Sequence, residues 1–361
     1  MAKKVLFGLL VIMLLSSALI QAPQADLVDP ESISVLMILG YSFGWSYFEL
    51  LDILQEWGCD ITTTGVTSHL QSCVNKEDRS IYADILVSEI EREDLGQYDV
   101  LIVPSGGHWQ NLLETQSILN LITMAFEEGL IVSGVCVGVA PIAAANVTEG
   151  KLATGHDFVY PYIRDSGGTW LRYTSVVSDG NVITGDNGIG FLHGYEVAPH
   201  YDLCVAIMRK LFGISYFEDV ITQIEQNGTD SVYYMNVTTS GPIHLFDNVT
   251  TPEISEVTAK LHMPDNDTVI ATMDLTDNDN DAVFEGNITG VDLDDCIIDL
   301  EITDANVSME VVRDASSFDA ENITRTRRTT YSSLETIVIV GIATGLLVVF
   351  LAIFWRRKSG P

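Results

Sequence analysis

Short apolar runs alternate with amphipathic runs between residues 33 and 222, and this alternation constrains the fold more than any other feature of the chain. The runs Ile33–Leu39 and Leu130–Val135 are apolar at nearly every position, which predicts strands buried on both faces. The run Trp45–Trp57 has apolar residues at helical spacing and ends before Gly58. Strands and helices that alternate in this way predict an α/β domain, in which a parallel sheet lies between two layers of helices.

Residues 225–325 have a different pattern. Polar and apolar residues alternate in short runs such as Ser231–Thr238 and Thr268–Leu275, and Asn, Asp, Gly and Pro separate these runs. A period of two with such turns predicts a small all-β sandwich whose outer face is polar. Residues 326–335 are polar and predict a short stalk.

Apolar runs with basic flanks occur near both ends of the sequence. Residues 1–25 combine a basic start with a leucine-rich run, which predicts a signal peptide, with an uncleaved anchor as the alternative. Residues 336–355 carry no charge, and as a helix they would span about 30 Å, the thickness of the hydrocarbon core. The basic tripeptide Arg356–Lys358 predicts that residues 356–361 are a cytoplasmic tail. We therefore expect a single-pass type I protein of the plasma membrane, with the bulk of the chain extracytoplasmic.

Charge and glycosylation signals agree with that topology. The chain has 50 acidic and 18 basic residues, a net charge of −32, which excludes phosphate backbones and hence nucleic acid as a partner. The Asn-x-Ser/Thr acceptor sequences cluster after residue 225 and predict a glycoprotein. Their asparagines are Asn146, Asn227, Asn236, Asn248, Asn266, Asn287, Asn306 and Asn322.

The chemistry of the chain is predicted to centre on Cys136. Gly134, Cys136 and Gly138 form a Gly-x-Cys-x-Gly sequence between a predicted strand and a predicted helix, which is the form of a nucleophile elbow. Such an elbow lies at the carboxyl edge of the sheet, where open α/β sheets bind ligands. The N-terminus of the following helix is expected to lower the pKa of the thiol. A buried, inert cysteine is the alternative.

Three segments together carry a resemblance to a known family. The run Tyr98–Gly107, the elbow about 30 residues later and the turn Thr148–Thr154 resemble the PfpI / Parkinson-disease-protein deglycase family of the class I glutamine-amidotransferase-like superfamily, over about residues 33–215. The resemblance implies a flavodoxin-like sandwich and, as in many members of the family, a homodimer. It also implies an oxyanion hole built from the backbone N–H groups of Gly106, Gly107 and Val137. No cofactor is predicted.

The chain departs from this family at two positions. Hydrolase-type members carry a histidine after the nucleophile, where this chain has Val137, and the glutamate expected after the first strand is replaced by Gly44 or Trp45. Glu49 follows about one helical turn later. Neither the usual base nor the usual carboxylate is therefore present in the sequence.

Two other histidines are predicted to supply the base. His108 directly follows the Gly106–Gly107 loop, and His156 lies in a turn beyond the elbow, so the fold would bring both near Cys136. His193 and His200 precede or begin the last helix, near the same edge. The expected function is that of a cysteine-dependent hydrolase, amidase or aldehyde hydratase. The alternative is a non-catalytic module that binds or senses a small molecule or a peptide.

The other cysteines, histidines and acidic residues were considered for a disulfide and for metal sites. A disulfide between Cys59 and Cys73 would close a loop of about 15 residues, worth about 3 kcal/mol if unstrained, and both the disulfide and two free thiols stay open. Histidine spacing predicts no metal site. The acidic run Asp277–Asp281 is followed by Ala282, where a calcium-binding loop needs glycine.

Overall fold

The computed structural model describes most of the chain between residues 32 and 315. The described ranges are 32–73, 80–186, 199–214, 217–227, 230–239, 244–246, 249–263, 268–279, 282–289, 296–313 and residue 315. Their contacts divide the chain into two compact units. The first comprises Met1–Val176, Asn181–Ile214 and Pro242–Thr251, and the second comprises Val177–Gly180, Ser215–Gly241 and Pro252–Pro361.

The first half of the described chain alternates strands and helices, as predicted. The strands are β1 (Ser34–Ile38), β2 (Asp60–Gly65), β3 (His69–Gln71), β4 (Ser80–Tyr82), β5 (Ile85–Leu86), β6 (Val100–Val103), β7 (Ile131–Val135), β8 (Leu152–Ala153), β9 (Thr169–Trp170), β10 (Val176–Asp179) and β11 (Val182–Gly185). The helices are α1 (Trp45–Glu56), α2 (Trp109–Glu114), α3 (Gln116–Glu127), α4 (Val139–Ala144), α5 (Tyr160–Asp165) and α6 (Pro199–Leu211). Thr115 adopts an extended conformation and separates α2 from α3.

A parallel sheet forms the centre of the first unit. Its strands lie in the order β11, β7, β6, β1, β2 and β5, and each neighbouring pair is parallel. Strand β1 shows why the sheet takes helices on both faces, because its side chains alternate between two buried clusters. Val35 and Met37 pack with α1 and α6, whereas Leu36 and Ile38 pack with α3. This is the flavodoxin-like α/β fold that the resemblance implied.

The second unit is rich in β-structure. Its remaining strands are β12 (Phe217–Asn227), β13 (Asp230–Thr239), β16 (Ile254–His262), β17 (Val269–Leu275), β18 (Val283–Thr289), β19 (Ile297–Asp304) and β20 (Met309–Val312), while β14 (His244–Phe246) and β15 (Val249–Thr250) belong to the first unit. Strands β12, β13 and β18 form an antiparallel sheet. Strands β17, β16, β19 and β20 form another, which β10 extends in parallel to β20. Both sheets contribute side chains to one buried cluster.

Alternating residues predicted most of these strands but not all of them. The run 231–238 lies within β13 and the run 268–275 contains β17. Strand β12 has no counterpart among the predictions, and the boundary expected between residues 222 and 225 lies inside it. Residues 177–180 belong to the second unit because β10 pairs with β20, for example Val177 with Met309.

No helix among the described residues is long and apolar enough to cross a membrane. The signal peptide predicted at residues 1–25, the stalk at 326–335, the span at 336–355 and the tail at 356–361 lie outside the described residues.

Candidate functional site

Cys136 lies at a sharp turn directly after β7, as the elbow prediction required. The turn begins with one 3₁₀ turn, Cys136–Gly138, and α4 follows it. Cys136 has a φ of +57°, and a residue other than glycine in this left-handed region costs about 1–3 kcal/mol. Strain of this size is retained only where the surrounding structure enforces it, so the turn holds the cysteine in one conformation.

The two flanking glycines are required by close packing and not by their own backbone angles. A Cβ on Gly134 would lie 2.6 Å from Ile142 Cδ1. A Cβ on Gly138 would lie 2.2 Å from the carbonyl oxygen of Val103, at the end of the neighbouring strand β6. The glycines therefore let the elbow press against β6 and α4, while the left-handed strain falls on Cys136 alone.

The sulfur of Cys136 is largely buried, with 8% of the residue exposed. Burial raises the pKa of its thiol, although hydrogen bonds from the Ser105 side chain and the Val137 N–H favour the thiolate, and the charge of Asp186 raises the pKa further. The expectation of a lowered pKa is therefore wrong. Loss of hydration outweighs the donors around the sulfur.

Ser105 is the neighbour of the sulfur that sequence reasoning did not single out. It follows β6, and it becomes adjacent to Cys136 only because β6 and β7 pair in parallel. Its backbone is fixed by the loop after β1 and the first turn of α1. Its carbonyl accepts from the Gly44 N–H at 2.9 Å, and its N–H donates to Ser46 Oγ at 2.6 Å. The serine hydroxyl is thus held where it can donate to the sulfur.

Gly106 makes the close contact between these two loops possible. It forms an antiparallel bridge with Phe43 and has a φ of +154°. A Cβ at this position would lie 2.2 Å from the nitrogen of Gly44. Gly44, one of the two positions at which the resemblance implied a glutamate, packs directly against the Ser105–Gly106 backbone and leaves no room for a side chain.

His108 does not serve as the predicted base. It is fully buried, its Nδ1 accepts from Gly40 N–H at 2.9 Å, and its Nε2 bonds the carbonyl oxygen of Pro104 at 2.9 Å. Burial lowers its pKa to about 4, against the raising effect of the bonds with Pro104 and Gly40. Both ring nitrogens bond backbone groups, so His108 connects the loop after β1 to the loop after β6.

His156 lies beside the elbow but makes local contacts. Its Nδ1 accepts from Phe158 N–H at 3.2 Å, and its ring contacts the Phe158 ring at a centroid distance of 4.5 Å with the planes tilted by 49°. Its neighbour Gly155 approaches the elbow so closely that a Cβ there would lie 3.0 Å from the carbonyl oxygen of Cys136. The role of His156 as a base stays a prediction.

A second group of polar side chains lies at the same edge of the sheet. Glu49, in α1, accepts a hydrogen bond from Trp45 Nε1 at 2.5 Å through one carboxylate oxygen. Its other oxygen lies 2.5 Å from Nδ1 of His200, in the first turn of α6. The sequence offered both residues near this edge but no signal that they pair.

The disulfide left open between Cys59 and Cys73 is not formed, and both are free thiols. Cys59 immediately precedes β2, at the amino edge of the sheet, and is buried. Cys73 is exposed, and its N–H donates to the carbonyl of Phe43, in the loop after β1. Because the six residues of β2 span about 20 Å, the two cysteines belong to opposite edges.

The predicted glycosylation sites are only partly described. Asn146 and Asn287 are exposed, Asn236 and Asn306 are half-buried, and Asn227 lies in β12. Asn248, Asn266 and Asn322 fall outside the described residues, as does His193. The described residues contain no cluster of three or more His, Cys, Asp or Glu side chains that could hold a metal ion.

Comparison with known proteins finds similarity to one family over part of the chain. Residues 33–192 match the DJ-1/PfpI family. The chain is 27% identical over 133 residues to isonitrile hydratase of Pseudomonas putida, covering 37% of this chain and 54% of that protein. It is 31% identical over 91 residues to protein DJ-1 homolog D of Arabidopsis thaliana, covering 24% of each. The chain thus spans about half and about a quarter of these two relatives. The solved structure of Drosophila melanogaster DJ-1beta matches with a TM-score of 0.42 and 23% identity, over 50% of this chain and 91% of that one.

Proposed function

Residues 33–192 form a DJ-1/PfpI family domain, and from this premise we propose that the domain is a cysteine-dependent hydratase acting on small α-oxoaldehydes. Cys136 is the nucleophile in this proposal. The observation that carries it is the strained φ of +57° at a cysteine whose sulfur is faced by two hydrogen-bond donors, the Ser105 hydroxyl and the Val137 N–H. Inert core cysteines need neither the strain nor the donors.

The surroundings of the sulfur favour addition to an aldehyde over cleavage of an amide. Cleavage needs a general acid for the departing amine, and His108, which follows the Gly106–Gly107 loop, has both nitrogens bound to backbone groups. Addition to an aldehyde has no leaving group and develops one oxyanion. The Val137 N–H and the proposed N–H groups of Gly106 and Gly107 would stabilise that charge.

The reaction needs no external oxidant or reductant. The thiol of Cys136 adds to the aldehyde carbon, the carbonyl electron pair moves to oxygen, and that oxygen takes up the thiol proton to give a hemithioacetal. The proton on this carbon then moves to the adjacent carbonyl carbon through an enediol, which leaves a thioester of a 2-hydroxy acid. Water hydrolyses the thioester and restores the thiol. The name of one relative, isonitrile hydratase, likewise describes addition of water to a small molecule.

The test is conversion of methylglyoxal to lactate by the purified full chain. Cys136→Ser should lower the turnover at least about a thousandfold, because the nucleophile is lost. Cys73→Ser is the matched control, since Cys73 is an exposed free thiol at the same edge, and it should keep the parent rate. Equal turnover by the parent and by Cys136→Ser would contradict the proposal.

One observation favours a second function, that of a binding module without turnover. Burial and Asp186 raise the pKa of the Cys136 thiol, so little thiolate exists near neutral pH. In this case the elbow and its donors would bind a small molecule or a peptide reversibly. The parent would then show saturable binding of methylglyoxal by calorimetry and no formation of lactate.

We also propose that the domain is presented outside the cell on a single membrane span. The charge-free run at residues 336–355 and the basic tripeptide after it support this proposal. Protease added to intact expressing cells should remove the residues before 336 and spare a tag fused after Pro361. Protection of the residues before 336 would contradict it, and a shift in mass on glycosidase treatment would test the sequons.

A further inference from the structure

Among the described residues, the bonds that tie Ser105 to the loop after β1 and to α1 are made by its backbone. The Ser105 N–H donates to Ser46 Oγ at 2.6 Å. The Ser105 carbonyl accepts from the Gly44 N–H at 2.9 Å and from the Ser46 hydroxyl at 3.2 Å. A serine that stabilises a turn bonds its own hydroxyl to a nearby backbone group. The conformation of this loop therefore does not explain the hydroxyl of Ser105.

The sheet brings this hydroxyl beside the sulfur of Cys136. Strands β6 and β7 are parallel with Val103 opposite Gly134, and Ser105 and Cys136 each follow two residues later. The elbow also packs against the end of β6, because a Cβ on Gly138 would lie 2.2 Å from the Val103 carbonyl oxygen. The Ser105 side chain accordingly forms a hydrogen bond with the Cys136 sulfur. The contact thus follows from the pairing of the two strands.

The Cys136 sulfur bonds two different kinds of donor. The Val137 N–H belongs to the backbone of the turn and can only donate, whereas the Ser105 hydroxyl can rotate to donate or to accept. A neutral thiol is a weak donor, and a thiolate can only accept. The hydroxyl can therefore stay bonded to the sulfur in both states, and the bond is stronger when the sulfur is charged.

Such a donor matters at this site because burial disfavours the charged sulfur. Only 8% of Cys136 is exposed, and burial raises the pKa of its thiol, whereas the bond from Ser105 lowers this pKa. His108 cannot offset the burial, since both its ring nitrogens bond backbone groups. Among the described side chains, Ser105 is the one whose hydrogen bond favours the thiolate of Cys136.

We infer that Ser105 is a catalytic residue of the Cys136 site, whose hydroxyl holds the sulfur as the attacking thiolate. The inference rests on the proposed function for the substrate, but not for the state of the sulfur. The thiol releases its proton to water, and the hydroxyl turns to donate to the thiolate. A sulfur lone pair then forms the bond to the aldehyde carbon, the carbonyl electron pair moves to oxygen, and that oxygen takes a proton from water. The hydroxyl keeps its own proton, so this step needs no histidine.

The test measures alkylation of Cys136 by iodoacetamide against pH, in Ser105→Ala and in the parent. Both carry Cys73→Ser, and the modified peptide is followed by mass spectrometry. Without the hydroxyl, the midpoint of the rate should move to higher pH, and the rate at pH 7 should fall about tenfold. The plateau at high pH should not fall, because a thiolate that loses a donor is no less nucleophilic. Methylglyoxal turnover at pH 7 should fall by at least a similar factor.

The matched control is Ser72→Ala. Ser72 is a half-buried serine at the same edge of the sheet, and its hydroxyl bonds the Phe43 carbonyl at 3.1 Å. This variant loses a hydroxyl of the same kind from a neighbouring loop, and it should keep the midpoint and the rate of the parent.

A second pair of variants separates the hydroxyl from the space that it fills. Threonine and valine have nearly the same shape and differ by the hydroxyl. Ser105→Thr should therefore keep the midpoint of the parent, and Ser105→Val should move it to higher pH. If Ser105→Ala does not fold, this pair carries the comparison.

The outcomes for the serine and for the substrate can be told apart. An unchanged midpoint in Ser105→Ala, or equal midpoints in Ser105→Thr and Ser105→Val, would overturn the inference and leave the side chain of Ser105 a packing role. A midpoint moved to higher pH, in a chain whose parent turns over no methylglyoxal, would keep the role of the hydroxyl and reject the proposed substrate.

Discussion

Two regions of the molecule hold buried polar side chains in different ways. One is the elbow edge of the α/β unit, around Cys136. The other is the arginine cluster of the β-rich unit, formed by Arg313, Asp179 and Asp299. At the elbow edge, His108 is neutral and bonds only backbone groups, the Gly40 N–H and the Pro104 carbonyl. In the β-rich unit, the buried carboxylates of Asp179 and Asp299 accept from the partly exposed Arg313 at 2.6 Å and 2.9 Å, so charged groups there pair with one another.

This difference shows what each region depends on. The loop that holds His108 relies on backbone groups that approach closely, so its limits are steric, and a charge gained by His108 meets only the Gly40 N–H and the Pro104 carbonyl. The arginine cluster relies on matched charges, so the loss of Arg313 removes the cation that faces the buried carboxylates of Asp179 and Asp299. Steric changes should therefore harm the first region most, and loss of charge should harm the second.

The largest effect is expected from Gly138→Ala. The new Cβ would lie 2.2 Å from the Val103 carbonyl and 2.8 Å from that of Pro104, and both are backbone atoms that cannot rotate away. The free energy of unfolding should fall by about 4 kcal/mol or more, measured by thermal melting followed by circular dichroism. Gly96→Ala is the control, because a Cβ there meets nothing within 4 Å, and it should melt as the parent does. A parent-like Gly138→Ala variant would show that the elbow is not sterically limited.

A smaller loss is expected from Arg313→Met. Asp179 is 1% exposed and Asp299 is 6% exposed, so both would keep a buried charge without the arginine. Breaking a buried pair costs about 3–5 kcal/mol, and because the Arg313 side chain is 43% exposed, we expect about 3 kcal/mol at most. Arg92→Met, which removes the surface bridges to Glu127 and Glu128, should leave the melting temperature unchanged. If Arg313→Met and Arg92→Met have the same melting temperature, the charges of the arginine cluster stabilise the protein no more than surface bridges do.

The sequence predicted the fold of the α/β unit well because its determinants are local. The apolar run 33–39 gave β1, the helical spacing from Trp45 gave α1, and the glycine spacing around Cys136 gave the elbow. In the β-rich unit, the period of two predicted β13 and β17, but β12 and the pairing of β10 with β20 were missed. The pairing of strands that are distant in the sequence cannot be predicted from the local alternation of polar and apolar residues.

The site itself was predicted less completely because its partners are distant in sequence. Ser105 was quoted only as part of a motif, yet the parallel pairing of β6 and β7 makes it the side-chain donor to the sulfur. The pair of Glu49 and His200 joins two helices that lie far apart in the chain. His108 is the opposite case. Its place in the sequence predicted a base, but the side chain is fully buried and both ring nitrogens bond backbone groups.

The last contrast between the two regions concerns pH. Burial holds the pKa of His108 at about 4, below its unfolded value of 6.5, so the unfolded chain binds the proton more readily between these values. Stability from this group is present above pH 6.5 and is lost as the pH falls towards 4, by about 2 kcal/mol at pH 5. His108→Gln has an amide that can accept from Gly40 and donate to Pro104 without titrating. Urea unfolding at pH 7 and pH 5 should therefore show about 2 kcal/mol less loss in this variant than in the parent. An equal loss in both would mean that the buried imidazole is protonated in place, and the elbow edge would then tolerate a charge as the arginine cluster does.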